Sequence, residues 1–388
     1  MKRRAGPAVV GLACAALVLG WQWLTVRYNY QGNWSALFCT GSKFPMPPLE
    51  EFRGTYVFSG SFGYDGQFYR YIAHDPFLER GLWKWVDKPR FRYRRILVPL
   101  LALAGGLGRP GAIDTAYLAV MLGFVFLGGY WASRYAVQRG RHPGWGLGFV
   151  LTPAVLVSAD RMTVDGALAA LTCGWALYWG ERAAPKAAGY ALLLALPLVR
   201  ETGALLNLAS GAALALTRKA RELVVWAALI LPCAAWYAFV ASRTERWEGE
   251  LGNFAARLPL AGFAARVLHP GVYPTGTPLR ALLLGLDYVA LSGVALALVL
   301  GIREWLRRRD GAIEIALLLF CLLAIGTGAP GTWTEALAFG RWLSPLLLLL
   351  ALKGLETGEG VPALPMAMVT LRVGVQFGAQ ALGVLRGL

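Results

Sequence analysis

The segment GYDGQFYRYIAHDP, residues 63–76, collects residue types that can do chemistry within an otherwise apolar chain. It places Asp65 between a tyrosine and a glycine, and Gln67 and Tyr69 follow closely. A carboxylate in such a turn can accept the proton of an attacking hydroxyl group, which is general-base chemistry. The same residues also suit a simple interfacial turn, in which the acid supplies local backbone hydrogen bonds and the aromatic rings lie at the membrane surface.

The composition indicates a helical membrane protein. Hydrophobic residues make up 57% of the 388 residues and charged residues only 15%, whereas a soluble protein carries about 25% charged residues. Long apolar runs recur along nearly the whole chain, which predicts an all-α, polytopic fold with ten or eleven transmembrane helices. We expect residues 1–388 to form a single transmembrane domain.

The basic residues and the cysteines argue against several other classes of protein. The formal net charge is +16, but the cations lie in short loops between apolar runs. There they orient helices and contact anionic lipid rather than nucleic acid. Four of the five cysteines fall within apolar runs, which argues against a disulfide framework and against a metal cluster.

The apolar runs define the predicted spans. The N-terminus is basic and the first run is followed by no cleavage site, so we predict an uncleaved first span with a cytoplasmic N-terminus. Polar loops interrupt the runs at residues 27–112 and 242–278, and the first is long enough to be functional. The runs are Pro7–Val26, Ile113–Ser133, Trp145–Ser158, Val164–Gly180, Ala187–Val199, Gly203–Leu216, Leu223–Ala241, Leu279–Ile302, Ala312–Thr327, Leu343–Leu352 and Val361–Leu385.

One short segment, Ile96–Leu107, decides the topology. It is short for a bilayer core of about 30 Å, so it is either a short span or an interfacial helix. If it does not cross, four short basic loops lie on the cytoplasmic side with the N-terminus, as the positive-inside rule requires. We therefore predict that it stays at the interface and that the loop around Asp65 is extracytoplasmic, on a multi-pass protein of the plasma (inner) membrane. The four loops are residues 134–142, 181–186, 217–222 and 303–310.

This topology gathers ionisable residues from separate helix ends on the extracytoplasmic side. Such residues tend to face a polar cavity when they lie at membrane depth, so their cluster is a site hypothesis. Each also has a structural interpretation as a helix cap, a buried ion pair or a snorkelling side chain. The functional interpretation is that the arginines grip a phosphate, since guanidinium groups bind oxyanions in a bidentate manner. The residues are Asp65, Asp160, Arg161, Asp165, Arg200, Glu201, Glu335 and Arg341.

The basic run KPRFRYRR, residues 88–95, adds Arg94 and Arg95 as contacts for a lipid phosphate next to the membrane. The three histidines are scattered without metal-ligand spacing. The sequence has no phosphate-binding glycine loop and no dinucleotide-binding fingerprint. This argues against a nucleotide-sugar or ATP-dependent enzyme on the cytoplasmic face.

Several segments together resemble the GT-C superfamily of integral membrane glycosyltransferases, and in particular uncharacterised bacterial members linked to cell-surface glycopolymers. These segments are YDGQFYRYIAHDP, RYRRILVPLLA, LVRET and FGRWLSPL, and the resemblance covers residues 1–352. Asp65 matches the family's acid near the start of a large outer loop, and Asp160 and Asp165 match its acids at an outer turn. The segments FLERGLWKWV and Ile96–Leu107 match its amphipathic interfacial helices. The chain departs from the family pattern in having no clean Asp-X-Asp pair.

The resemblance implies transfer of a sugar from a polyprenyl-phosphate donor to an acceptor hydroxyl on a glycolipid or surface glycan, with inversion and with Asp65 as the base. It leaves open a divalent metal, Mg²⁺ or Mn²⁺, on Asp65 and Asp160. Two alternatives remain: a transporter or flippase for a lipid-linked sugar, and a glycan polymerase or ligase that uses a lipid diphosphate. The predicted substrate-binding residues are Tyr64, Gln67, Tyr69, Arg94, Arg95, Asp160, Asp165, Arg200, Glu201, Glu335 and Arg341.

Overall fold

The computed structural model describes residues 2–180, 186–246, 258–328 and 330–388. Within these ranges the chain is predominantly helical, and two short parallel strands lie in the first loop. The helices of the first part are α1 (Lys2–Asn29), α2 (Asp65–His74), α3 (Pro89–Arg92), α4 (Leu97–Gly105), α5 (Pro110–Gln138), α6 (Pro153–Arg161), α7 (Asp165–Trp179), α8 (Lys186–Val199) and α9 (Ala204–Leu216). The helices of the second part are α10 (Ala220–Arg243), α11 (Ala261–Leu268), α12 (Thr277–Arg307), α13 (Ala312–Gly326), α14 (Pro330–Trp333), α15 (Ala336–Thr357), α16 (Leu364–Val375) and α17 (Gly378–Gly387). The strands are β1 (Thr40–Gly41) and β2 (Val57–Phe58).

Five helices of the described chain are long and apolar enough to cross a membrane, namely α1, α5, α10, α12 and α15. The pair α16–α17 would make a sixth span if it counts as one, with a bend of 54° between its two helices. Helices α8 and α13 are apolar but shorter. The all-α, polytopic fold therefore agrees with the prediction. The ten or eleven spans counted from the sequence include several runs that form shorter helices.

Helix α4, which covers most of the segment that decides the topology, is too short to cross. It has nine residues, or about 14 Å at 1.5 Å per residue, and the bilayer core is about 30 Å thick. Val98 and Ala102 are buried, and the helix packs against α5 and α2. This geometry favours the interfacial interpretation of the segment.

The predicted apolar run that starts at Trp145 is broken rather than continuous. It forms a 3-10 helix over Pro143–Leu151 and then α6, which begins at Pro153. Proline has no backbone N–H and suits the first position of a helix. Gly146 lies so close to α5 that a Cβ atom there would be 2.7 Å from the carbonyl oxygen of Gly129. The glycine-rich half of the run thus packs closely against α5.

The segment FLERGLWKWV forms only a four-residue 3-10 helix, Leu82–Trp85, so the amphipathic helix expected there was wrong. The carboxylate of Asp75 accepts hydrogen bonds from the backbone N–H groups of Glu79 at 2.8 Å and of Leu82 at 3.0 Å. An aspartate that takes up backbone donors in this way organises a turn. The turn replaces the helix that the hydrophobic pattern predicted.

Helices α7 and α15 lie in the interior of the bundle. All residues of α7 from Asp165 to Leu177 are buried, as are most residues of α15. Helix α7 packs against α5, α8 and α15. Asp165 is the first residue of α7, and Arg341 lies in the second turn of α15. The two enclosed helices therefore carry charged residues at their N-terminal ends.

A buried aspartate in α12, Asp287, links the second loop to the C-terminal helices. Its carboxylate accepts hydrogen bonds at 2.6 Å from Arg266 of α11, from Tyr273 of the loop and from Arg372 of α16. The sequence does not predict this cluster, because Arg266 and Arg372 are more than a hundred residues apart and meet only in the folded chain.

Helix α2 is packed directly against the end of α6. A Cβ atom at Gly66 would lie 2.2 Å from the carbonyl oxygen of Arg161. The side chain of Gln67 ties the same helix to the first loop, since its Oε1 accepts from the N–H of Gly41 at 3.2 Å and its Nε2 donates to the carbonyl of Phe62 at 2.9 Å. These contacts fix the first turn of α2, and with it Asp65.

We predict that Gly66→Ala destabilises the protein, although alanine is the better helix former by up to about 1 kcal/mol. The added methyl group must push α2 away from Arg161, and overpacking costs about 1–3 kcal/mol. Gly111→Ala is the matched control, because Gly111 is also the second residue of its helix and its Cβ would meet no atom within 4 Å. Unfolding temperatures in detergent should fall for Gly66→Ala only. An unchanged value for Gly66→Ala would contradict the close packing.

Candidate functional site

Arginine and aspartate side chains alternate along a chain of ion pairs at the N-terminal ends of α7 and α15. Asp65 Oδ2 lies 2.7 Å from Arg341 Nη1, and Asp65 Oδ1 lies 3.0 Å from Arg92 Nη1. Arg341 Nη1 is also 3.5 Å from Asp165 Oδ2, and Asp165 pairs in addition with Arg200. The site thus joins α2, α3, α7, α15 and the junction between α8 and α9.

A second aspartate, Asp87, holds Arg92 in position. Arg92 donates from Nε to Asp87 Oδ1 at 2.8 Å and from Nη2 to Asp87 Oδ2 at 2.9 Å. Its guanidinium group also lies over the ring of Phe68, 4.9 Å from the centroid, which is a favourable cation–π position. With two nitrogens committed to Asp87, the third nitrogen of the fork, Nη1, faces Asp65.

A second ion pair, Arg95–Glu201, lies next to this chain. Arg95 binds both carboxylate oxygens of Glu201, at 2.8 and 2.5 Å, and donates to the hydroxyl group of Tyr69 at 2.6 Å. Burial by itself would raise the pKa of Glu201, but the contacts with Arg95 outweigh it and lower the pKa to about 2. Because Glu201 follows Arg200 directly, this pair and the ion-pair chain share the α8–α9 junction.

Tyr64 connects the ion-pair chain to another acid. Its ring lies between the guanidinium groups of Arg341, at 4.9 Å, and Arg161, at 4.7 Å. Arg161 Nε is 3.5 Å from Asp160 Oδ2, and Gln380 donates to both Asp160 oxygens at 3.1 and 3.3 Å. Burial raises the pKa of Asp160 to about 6, although Arg161 acts in the opposite direction.

The ionisation of Asp65 depends on its two arginine partners. Burial alone would raise the pKa of this carboxyl, but Arg341 and Arg92 outweigh burial and hold the pKa well below its ordinary value. The carboxylate is therefore ionised at neutral pH. While both arginines stay in contact it is a weak base, because a group of low pKa binds a proton poorly.

Most of the predicted site residues meet in the structure. Those in the ion-pair chain, in the adjacent pair or in the link to Asp160 are Asp65, Asp165, Arg200, Arg341, Arg95, Glu201, Tyr69, Tyr64 and Asp160.

Three predicted residues have other surroundings. Both polar groups of the Gln67 amide bind the backbone of the first loop. The guanidinium group of Arg94 lies over the ring of Tyr237, 5.6 Å from the centroid. Glu335 is exposed at the residue before α15. None of these three observations places the residue in direct contact with Asp65.

Sequence reasoning missed Arg92, Asp87 and Gln380. Residues 88–95 contain four arginines, and their spacing does not show which of them faces the acid. The only sequence signal for Asp87 is that it is an acid directly before this basic run. Gln380 carries no signal at all, because it reaches Asp160 only after α17 has packed against α1.

The residues present do not fit the divalent metal that the resemblance left open. Both oxygens of Asp65 already contact guanidinium groups, and Asp160 receives two hydrogen bonds from an amide. A cation prefers several carboxylate or carbonyl oxygens that face one point. In the part of the chain that the structure describes, no group of three or more His, Cys, Asp or Glu side chains is arranged to hold a metal ion.

Known proteins do not supply an identity. Comparison of the chain with protein-family models, with curated proteins and with solved structures finds no match in any of the three. A function has therefore to be inferred from the geometry of the ion-pair chain.

We predict that Asp160→Asn stabilises the protein above about pH 6. The folded-state pKa of about 6 exceeds the ordinary value of about 3.9, so the folded protein holds this proton more tightly than the unfolded chain does. The resulting stabilisation is complete below about pH 4 and is lost as the pH rises through about 6. The neutral amide avoids the buried charge that the wild type carries at higher pH.

Unfolding temperatures measured across this pH range test the prediction. The variant should match the wild type near pH 4 and exceed it near pH 8. Asp310→Asn is the control, because the Asp310 side chain is 60% exposed, and it should show no such change. A difference between Asp160→Asn and the wild type that does not vary with pH would contradict the titration of Asp160.

Proposed function

We propose that the protein is a membrane glycosyltransferase that transfers a sugar from a polyprenyl-phosphate donor to an acceptor hydroxyl at the extracytoplasmic surface. The observation that carries the proposal is the position of Asp65 between Arg341 and Arg92. One acid that can accept a proton and two cations that can bind a phosphate lie in direct contact. The GT-C resemblance and the basic loops at the other ends of the helices support this proposal.

In the proposed reaction, the acceptor oxygen attacks the anomeric carbon of the donor sugar while the bond between that carbon and the phosphate oxygen breaks. The acceptor proton passes to Asp65, and the electron pair of the broken bond leaves with the lipid phosphate. Direct displacement at this carbon inverts its configuration. The phosphate gains negative charge as the bond breaks, so cations beside it stabilise the transition state more than the bound donor.

The donor phosphate would exchange partners with Asp65. Arg341 can bind phosphate oxygens through its planar fork. Arg92 can donate to the phosphate from Nη1, since its other two nitrogens bind Asp87. Every contact that moves from the carboxylate to the phosphate removes an influence that lowers the pKa of Asp65. Asp65 is thus held as an ion pair before the donor binds and gains proton affinity once the donor is in place. The base becomes effective only when there is a sugar to transfer.

The surrounding pairs give the site its fixed shape. Asp165 contacts both Arg341 and Arg200, so it can keep these two cations close together when Arg341 turns towards a phosphate. The Arg95–Glu201 pair is bidentate, with Arg95 buried and the Glu201 side chain 29% exposed. We propose that Arg200 binds the phosphate. Arg95 has a structural role at the side of the site, because its guanidinium group already binds Glu201 and Tyr69.

A transporter or flippase for the same lipid-linked sugar is the second candidate. The bend between α16 and α17 favours it, because transporters often build their binding sites from broken helices. Such a protein would bind the lipid phosphate with the same arginines and would transfer no sugar. A glycan polymerase or ligase differs from the main proposal only in using a lipid diphosphate donor.

We expect Asp65→Asn to lower the rate of sugar transfer by about 10²–10⁴-fold, the usual contribution of a general base. The assay supplies a polyprenyl-phosphate sugar and a glycolipid acceptor to the purified protein. Binding of labelled donor should persist, since Arg341 and Arg92 remain. Asp310→Asn, at an exposed loop, is the control and should transfer normally.

The outcomes separate the candidates. Near-normal transfer by a correctly folded Asp65→Asn variant excludes Asp65 as the base. Donor binding by the wild type without any transfer, across several acceptors, favours the transporter. Transfer that requires a lipid diphosphate favours the polymerase or ligase.

A further inference from the structure

A groove with a volume of about 430 Å³ lies far from the ion-pair chain. It is bounded by the end of α5, the 3-10 helix Pro143–Leu151, the C-terminal half of α15 and α16. Leu355, one of its lining residues, is fourteen residues beyond Arg341 along α15, or about 21 Å at 1.5 Å per residue. The groove therefore belongs to the opposite end of the molecule.

The wall of this groove is almost entirely apolar. Phe149, Leu348, Leu352 and Met366 are among its lining residues, and Trp145, at its edge, is 62% exposed. The volume lies in the range of ligand-binding pockets, about 300–1,000 Å³. The flanking helices α5 and α15 are both long and apolar enough to cross a membrane, so we expect the groove to lie beside lipid. A hydrocarbon chain is the chemistry that this wall accepts.

Positive charge lies at one edge of the groove. Arg141 lines it, donates from Nε to the carbonyl of Leu355 at 3.2 Å and extends its Nη2 past Gly358. Residues 134–142 contain three arginines and no acid, and residues 303–310 contain four arginines and two acids. Glu359 also lines the groove, and it lies 4.0 Å from Arg303. The surplus of cations favours an anionic headgroup.

We infer that this groove binds one anionic phospholipid of the leaflet on the side of the basic loops. An acyl chain lies on the apolar wall and the headgroup phosphate lies at Arg141. Basic pockets between membrane helices are known to hold anionic headgroups on this side of the bilayer. The site is separate from the proposed donor site and does not rest on sugar transfer.

Two variants test the two halves of the inference. Gly148 lines the groove, and its Cβ would meet no atom within 4 Å, so Gly148→Phe fills the groove without a clash at the backbone. The matched control is Gly123→Phe on α5, where a Cβ also meets nothing within 4 Å. Arg141→Gln removes the cation at the edge of the groove. Its control is Arg221→Gln, at an exposed residue of the basic loop 217–222, which does not line the groove.

Native mass spectrometry measures lipid retained by the purified protein after exchange into phosphatidylglycerol or phosphatidylcholine. We expect the wild type and both controls to retain about one phosphatidylglycerol and to prefer it over phosphatidylcholine. Gly148→Phe should lose the bound lipid of either kind. Arg141→Gln should lower the preference for phosphatidylglycerol about fivefold, the factor that one basic residue supplies near an anionic headgroup.

Three results would overturn the inference. The first is that Gly148→Phe retains as much lipid as the wild type. The second is that Arg141→Gln keeps the wild-type preference for phosphatidylglycerol over phosphatidylcholine. The third is that a polyprenyl phosphate displaces phosphatidylglycerol from the groove. If Gly148→Phe fails to fold, Gly360→Leu fills the groove from another wall, since Gly360 lines it and its Cβ also meets no atom within 4 Å.

Discussion

A carboxylate clamped between two guanidinium groups is the interaction on which the rest of the site depends. Asp65 is nearly buried, and an isolated charge in such a place is costly unless it is paired. Removing one partner of a buried pair costs about 3–5 kcal/mol, because the other charge is left uncompensated. Helices α15 and α3 therefore have to position Arg341 and Arg92 against the two carboxylate oxygens of Asp65. The close packing of Gly66 and the bonds of Gln67 hold α2 where both can reach it.

In the proposed mechanism, the same clamp would let a carboxyl with a low pKa serve as a base. Its pKa is low because of its partners and in spite of its burial, so any ligand that draws the arginines away raises its proton affinity. The anionic donor that we propose would do this by binding the arginines through its phosphate. At Asp160 the effect of burial is larger than that of the neighbouring groups, so burial raises the pKa of this carboxyl to about 6. The two aspartates thus differ because Asp65 has two close cations, whereas Asp160 has one cation at 3.5 Å and an amide.

The sequence predicts the parts of this site but not the contacts between them. Hydropathy identifies a polytopic helical fold, and the positive-inside rule groups Asp65 with acids and arginines from distant helix ends. It cannot pair Asp65 with Arg341, which is 276 residues away, because that contact depends on how α2 and α15 pack. Within the run 88–95 it could not separate Arg92 from Arg94, since one helical turn decides which side chain faces the acid. The turn made by Asp75 shows the same limit, where a single carboxylate overrides an amphipathic pattern.

A structure determined with a polyprenyl-phosphate sugar bound is the most direct test of the exchange of partners at Asp65. We expect nitrogens of Arg341 and Arg92 to lie about 2.7–2.9 Å from phosphate oxygens, as in charge-assisted hydrogen bonds. Asp65 should then have released at least one of them and should face the anomeric carbon across a space for the acceptor hydroxyl. A bound donor whose phosphate lies elsewhere, with Asp65 still paired to both arginines, would contradict the mechanism.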